Sequence, residues 1–340
     1  MKSSRITLFV AMALVGVAVY LGTRPEAGAL EADRTTHFAI ADTSQVTKIR
    51  IADAQGHVAI LERSKHPMGL WSLNGRHLAR KDATDLLLKT FKRISVRQPV
   101  QTKAKEGVLK MMAASGKRVD IHLDGADSPV KTWFIGTPTQ SHTGTHMLLE
   151  LPGEGRSSDP YITHMEGFTG FLSTRFFTSE NEWRYTGVYE SRPESIQSIV
   201  GRPLDDTGRM AILEWDEGGK GLKASTDLIP LDLPAATLQD QWLRMCDVHI
   251  ETWDSHLTVA QQDSLKASPA AWELEVRYKD GRTQPMSLHW KAPIMEEYNL
   301  DGTLMTHDGS RMYAVVNGEV ALVQTFVFNP ILDFWRNLDF

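Results

Sequence analysis

The sequence predicts an α+β protein, with an N-terminal transmembrane anchor followed by two tandem duplicated α+β repeats whose sheets are mostly antiparallel. Three observations carry that expectation. Gly56-His57-Val58-Ala59-Ile60-Leu61-Glu62 returns as Gly208-Arg209-Met210-Ala211-Ile212-Leu213-Glu214, 152 positions later (208 − 56). Held at that offset without a gap from Gly56 to Val96, 41 positions (96 − 56 + 1) contain ten identities. Average residue usage gives roughly two or three, so an internal duplication accounts for them. Within each copy, strands precede a helix and strands follow it, which is the order of an α+β unit. The third observation is an uncharged run near the N-terminus.

Lys2 and Arg5 precede that run, which extends from Ile6 to Gly22 and is closed by Arg24-Pro25-Glu26. Seventeen residues (22 − 6 + 1) reach about 25 Å as a helix, the short end of what spans a bilayer core and long for the apolar part of a signal peptide. Two readings stay open. Length favours an uncleaved anchor, whereas Ala27-Gly28-Ala29 would permit cleavage after Ala29. Positive charge before the run, with Glu26, Glu31 and Asp33 after it, places the N-terminus in the cytoplasm and the body across the membrane. The expected divisions are a membrane helix over 1–24, a tether over 25–42, repeat 1 over 43–178, a linker over 179–192 and repeat 2 over 193–340.

In repeat 1, Val46 to Ile51 and Val58 to Leu61 read as a hairpin around Asp53-Ala54-Gln55-Gly56, and Trp71-Ser72-Leu73-Asn74-Gly75 adds a strand and a turn. Asp82 is placed to cap a helix whose Ala83, Leu86, Leu87, Thr90, Phe91 and Ile94 share one face. The matching helix starts at Pro234 and buries Leu238, Trp242, Met245 and Cys246. A short strand follows each helix (Ile94 to Val100; Val248 to Trp253), then a short helix around Val108 to Ala114 or Gln261 to Ala267. The late strands are Arg118 to Leu123, Val130 to Ile135 and His146 to Leu151 in repeat 1. In repeat 2 they are Trp272 to Tyr278, Gln284 to Trp290, Arg311 to Val316 and Glu319 to Val323. Asp124-Gly125, Asp280-Gly281 and Asn317-Gly318 mark turns between them. Each repeat ends in an aromatic helical segment, 167–177 and 328–335.

A net charge of −5 and 23% charged residues argue against nucleic acid as a partner. The single Cys246 precludes an internal disulfide and sits in a helical pattern beside Trp242, as a buried thiol does. His142 and His146 share the spacing of a helical metal pair, but Thr143-Gly144-Thr145 between them makes a turn, so no metal or other cofactor is expected. Asp301-Gly302 and Thr306 to Ser310 lack the alternating acids of a calcium loop, and Glu296-Glu297 reads as a solvated loop. With neither a nucleophile elbow nor a phosphate-cradling glycine loop, no catalytic residue is assigned and an enzyme is not favoured. The aromatic ends are the candidate interface: Phe168, Phe171, Phe176 and Phe177 in repeat 1, Phe334 and Trp335 in repeat 2. Core packing between the two halves is the competing account of the same residues.

The apolar run from Lys2 to Tyr20, the Ala39 to Ala59 hairpin, Trp71-Ser72-Leu73-Asn74-Gly75, Ile94-Ser95-Val96, Gly136-Thr137-Pro138-Thr139-Gln140 and Leu172-Ser173-Thr174-Arg175-Phe176-Phe177 together resemble a family of Bacteroidota envelope proteins. That family is known as a domain of unknown function, and distant relatives are encoded beside ABC-type exporter and gliding-motility components. The resemblance implies a single-pass inner-membrane protein with its body in the periplasm, and it brings no catalytic residues. The expected function is a binding or scaffolding component of a cell-envelope assembly, with an ABC-type exporter as one candidate. The alternative is a glycan- or peptide-binding protein, or a hydrolase, with its site between the repeats.

Overall fold

The computed structural model describes residues 37–204, 208–216, 218–226, 229–298 and 301–338. The expected membrane helix at 6–22, the Ala29 cleavage point, most of the tether, the turn residues 205–207 and Phe340 lie outside the described residues. Among the described residues no helix is long and apolar enough to cross a membrane. The chain divides into two compact units after Trp183.

Unit 1 opens with β1 (Val46–Asp53) and β2 (Val58–Glu62), joined where the Asp53 carboxylate accepts the Gln55 and His57 amides. Gly56 takes φ +90° in this turn, a backbone conformation that side chains resist. Next come β3 (Ser72–Leu73), β4 (His77–Leu78), α1 (Lys81–Arg93), β5 (Ile94–Pro99) and α2 (Thr102–Ser115). They are followed by β6 (Lys117–Leu123), β7 (Lys131–Pro138), β8 (Thr145–Leu151), β9 (Gly155–Arg156), β10 (Tyr161–Met165) and α3 (Glu180–Trp183). The sheet runs β4-β3-β2-β1-β6-β7-β8-β10-β5, with β9 on β8, and all its pairings are antiparallel. One face of it meets α1, where the Phe91 ring lies edge-on to Trp133 at 5.0 Å. Phe38 and Phe176 complete the ring cluster around Trp133. A core of large rings buries much apolar area per residue, the main favourable contribution to folding.

Unit 2 contains β11 (Gly187–Glu190), β12 (Ile196–Pro203), β13 (Ala211–Trp215), β14 (Leu222–Thr226), β15 (Ile229–Leu231), α4 (Ala235–Arg244) and β16 (Asp247–His249). After these come α5 (Val259–Ala267), β17 (Trp272–Tyr278), β18 (Thr283–Trp290), β19 (Arg311–Val316), β20 (Glu319–Gln324) and α6 (Thr325–Arg336). Its sheet order, β15-β14-β13-β12-β17-β18-β19-β20, repeats the path of unit 1 from β4 to β10, with β20 in the place of β10. The likeness extends to irregularities. A register shift interrupts the first long strand between Val46 and Lys48 in unit 1 and between Ile196 and Ser198 in unit 2. The strand after the first long helix differs: β5 closes onto β10, whereas β16 pairs with β11 in a separate two-stranded sheet.

Several expectations need correction. Leu86 is 41% exposed and Leu87 is buried, so the α1 face of Leu87, Thr90 and Phe91 matches Leu238, Gln241 and Trp242 at an offset of 151 (238 − 87). The ungapped repeat therefore slips by one residue between β2 and α1, and the Leu86/Leu238 identity is not a structural equivalence. Asp82 does not cap α1; it lies inside the helix and pairs with Arg80, the N-cap residue. The segment 167–177 is not a helix beyond a 3-10 turn at Ser173–Arg175, because Gly167 and Gly170 take positive φ there. Nor is 179–192 a free linker. Trp183 is fully buried in the core of unit 1, and β11 belongs to unit 2.

Candidate functional site

Alternation along a strand sends successive side chains to opposite faces. On β6, Val119 and Ile121 enter the core, so Arg118, Asp120 and His122 face the other way. The register sets Arg50 of β1 against Asp120 on one side, and Thr132 and Phe134 of β7 against Asp120 and Arg118 on the other. A polar row with one aromatic ring thus lies on the face away from the core.

Part of this face is roofed by α2. Met112 seats against Gly136 of β7, where a Cβ would stand 2.5 Å from Met112 Cγ, so only glycine permits that approach. The remainder is a groove of about 860 Å³ lined by Lys48, Arg50, Arg118, Asp120, His122 and Phe134, among others. A second cavity of about 500 Å³ lies under α2 and adds Leu109 and Leu148. Met112, Ala113, Phe134 and Arg156 line both. These volumes are in the range of small-ligand and peptide-anchoring sites.

The charges of the groove are organised around one buried carboxylate. Asp120 accepts from Thr132 Oγ1 at 2.7 Å, Arg118 Nε at 2.8 Å and Arg50 Nη1 at 3.4 Å. Two guanidinium groups share one carboxylate, which leaves that cluster cationic. Arg118 and Arg156 both lie over the Phe134 ring, at 5.8 and 5.3 Å from its centre. Arg156 is exposed, and the register sets Glu150 of β8 opposite it.

The hydroxyl and imidazole groups of the groove already have partners. Thr132 donates to Asp120, Ser157 Oγ accepts from the Leu149 amide, Ser158 bonds Asp159, and His122 Nδ1 meets the Ala126 carbonyl at 3.0 Å. What the face offers chemically is guanidinium donors beside an aromatic ring, groups that suit carboxylate or phosphate oxygens. Unit 2 has a groove of about 480 Å³ on the corresponding face, but Glu273, Glu275 and Ser287 occupy the register positions of Arg118, Asp120 and Phe134. The cationic and aromatic character is particular to unit 1. Sequence reasoning missed it because Arg50, Arg118, Phe134 and Arg156 become neighbours only through register. The one local signal was Arg118-x-Asp120-x-His122, a polar alternation in an otherwise apolar strand.

Of the six aromatic residues of the candidate interface, two are fully buried. Phe176 and Trp335 are fully buried in their own units, and Phe334 packs against Trp335 with ring centres 4.8 Å apart. Phe177 is half-buried against Trp183 at 5.3 Å, and Phe171 is half-buried 5.8 Å from His142. Phe168 is exposed, with the Arg175 guanidinium 4.2 Å from its ring centre. His142 occupies an exposed turn at φ +55°, while His146 Nδ1 bonds the Thr137 carbonyl and burial lowers its pKa. No metal-binding group of His, Cys, Asp and Glu is found among the described residues. Cys246 is buried, its Sγ donating to the Trp242 carbonyl.

No protein family, curated protein or solved structure matches the chain.

Proposed function

We propose that this chain is a membrane-anchored binding component of a cell-envelope assembly, with its duplicated α+β body in the periplasm, and that unit 1 holds an anionic partner on its open sheet face. The observation that carries the reading is the Arg118–Phe134–Arg156 arrangement, two guanidinium groups over one ring with Arg156 exposed. Arginine is among the residues enriched in binding hot spots, and its planar donors suit carboxylate or phosphate oxygens. The N-terminal charge pattern and apolar run support the anchor. The topology shared by the two sheets supports the duplication.

The test is recovery of the tagged full chain from gently solubilised native membranes after cross-linking, in parallel with a Phe134→Ala/Arg156→Glu variant. Both sites lie on the outer sheet face, so far-UV circular dichroism should be unchanged. A stoichiometric partner on the wild type that the variant loses is the expected result. Wild type recovered alone, or with the same partners as the variant, overturns the reading.

A further inference from the structure

Between β18 and β19, unit 2 carries residues 291–298 and 301–310 on a fixed neck. Lys291 Nζ donates to Asp308 Oδ2 at 2.6 Å with both residues buried, and the Asp308 amide donates to the Lys291 carbonyl at 2.7 Å. The second Asp308 oxygen accepts the Ser310 and Arg311 amides. Further out, Met305 N donates to the Glu297 carbonyl and Tyr298 bridges Leu304. The segment beyond the neck is apolar and open: Ile294 is 86% and Met295 77% exposed, and Tyr298 and Leu304 are each more than half exposed. Glu296, Glu297 and Asp301 lie among them, and the segment's one Lys or Arg, Lys291, is already paired with Asp308.

Apolar side chains held out on an ordered neck mark a surface that is buried on something else. The three carboxylates disfavour an anionic bilayer surface and suit a cationic one. A ring-bearing groove with more Lys and Arg than Asp in its lining is present in unit 1, where Arg50, Arg118 and Arg156 share one cavity with Phe134 and Met112, and Leu109 lines the adjoining one. We propose that the tip of one copy that carries Ile294, Met295, Tyr298 and Leu304 docks in the unit 1 groove of a second copy. The proposal rests on the reading of that groove as an anion-binding site, and names a ligand for it.

Loop and groove are different surfaces, so the contact is heterologous and propagates into short chains or closes into a ring. A single loop tip falls below the roughly 1,000 Å² of a stable interface. Association is therefore weak and concentration-dependent.

Two measurements on the full chain test this. Sedimentation velocity is recorded over roughly a hundredfold range of concentration, and a labelled synthetic peptide of residues 292–306 is titrated by fluorescence anisotropy. Ile294→Asp/Met295→Asp and Arg156→Glu each alter exposed side chains and leave the fold intact. The proposal expects self-association that either variant weakens about tenfold or more, peptide binding that Arg156→Glu loses, and partial recovery when Arg156→Glu is combined with Glu297→Lys. Peptide binding by a chain that stays monomeric overturns self-association and leaves the groove reading standing. Failure of the peptide to bind overturns this inference, while the cross-linking result decides the groove independently. Self-association that persists in both variants also overturns it, assigning the contact to another surface.

Discussion

Trp335 of α6 lies directly on Gly201 of β12, where a Cβ would stand 2.2 Å from ring atom Cδ2. Gly201 is the hole into which the last helix of unit 2 sets its largest knob, and Trp335 is fully buried there. The ring is part of a packed cluster with Phe334 and cannot simply swing aside. Gly201→Ala should therefore destabilise unit 2 by about 1–3 kcal/mol, the usual cost of overpacking. The measurement is chemical denaturation followed by tryptophan fluorescence. Combining Gly201→Ala with Trp335→Leu should recover part of the loss, and equal stability of Gly201→Ala and wild type would show the contact to be looser than the structure has it.

Asp53 connects the first hairpin of unit 1 to its final segment, because Thr178 Oγ1 donates to Asp53 Oδ2 at 2.7 Å across 125 residues of chain. Burial alone would raise this carboxyl, but hydrogen bonds from Thr178, His57 and the turn amides outweigh it and hold the pKa at about 2. An unfolded aspartate titrates near 3.9. The stabilisation is thus complete above that value and is lost as pH falls from about 4 through about 2. Thr178→Val should remove roughly 1 kcal/mol near neutral pH and raise the midpoint of acid unfolding. An acid midpoint unchanged by the substitution would rule this linkage out.

The sequence-based reading succeeded where local chemistry decides and failed where register does. Glycine turns and apolar alternation at Gly56 and Asp124-Gly125 bound the strands they predict. The repeated Ala-Ile-Leu-Glu stretch occupies β2 and β13, equivalent strands of the two sheets. Leu86 was placed on the buried face beside Leu87 because both satisfy a 3, 4, 7 spacing, and only packing shows that Leu87 alone of the two is buried. Strands β10, β14 and β15 went unread; β10 is five residues, Tyr161–Met165, with threonine and histidine inside, too polar to announce burial. The groove was illegible for a related reason, since Arg156 comes to Phe134 only after β8 and β9 fold back.

Cys246 should behave as an inert thiol. Burial, with Asp247 and Glu194 nearby, pushes its pKa up to about 11, so almost none is thiolate at neutral pH. Labelling by an aromatic disulfide reagent should be slow in the native chain and fast after denaturation. Rapid native labelling at neutral pH would place the thiol at the surface and contradict its packing against Trp242.

The neck of the 291–310 loop yields the sharpest test of order in unit 2. Burial pushes the Asp308 carboxyl up, but its bond from Lys291 and two backbone amides win, and its pKa is lowered overall. Removing one partner strands the other in a buried position, a loss of about 3 kcal/mol, whereas replacing both with apolar groups costs far less. Asp308→Leu alone should therefore loosen the neck and speed limited proteolysis of the already exposed chain around Ile294 and Met295, and Asp308→Leu with Lys291→Met should largely restore resistance. The two variants separate charge from packing: equal protease sensitivity would mean that the Asp308 bonds to Ser310 and Arg311 hold the loop, and not the ion pair.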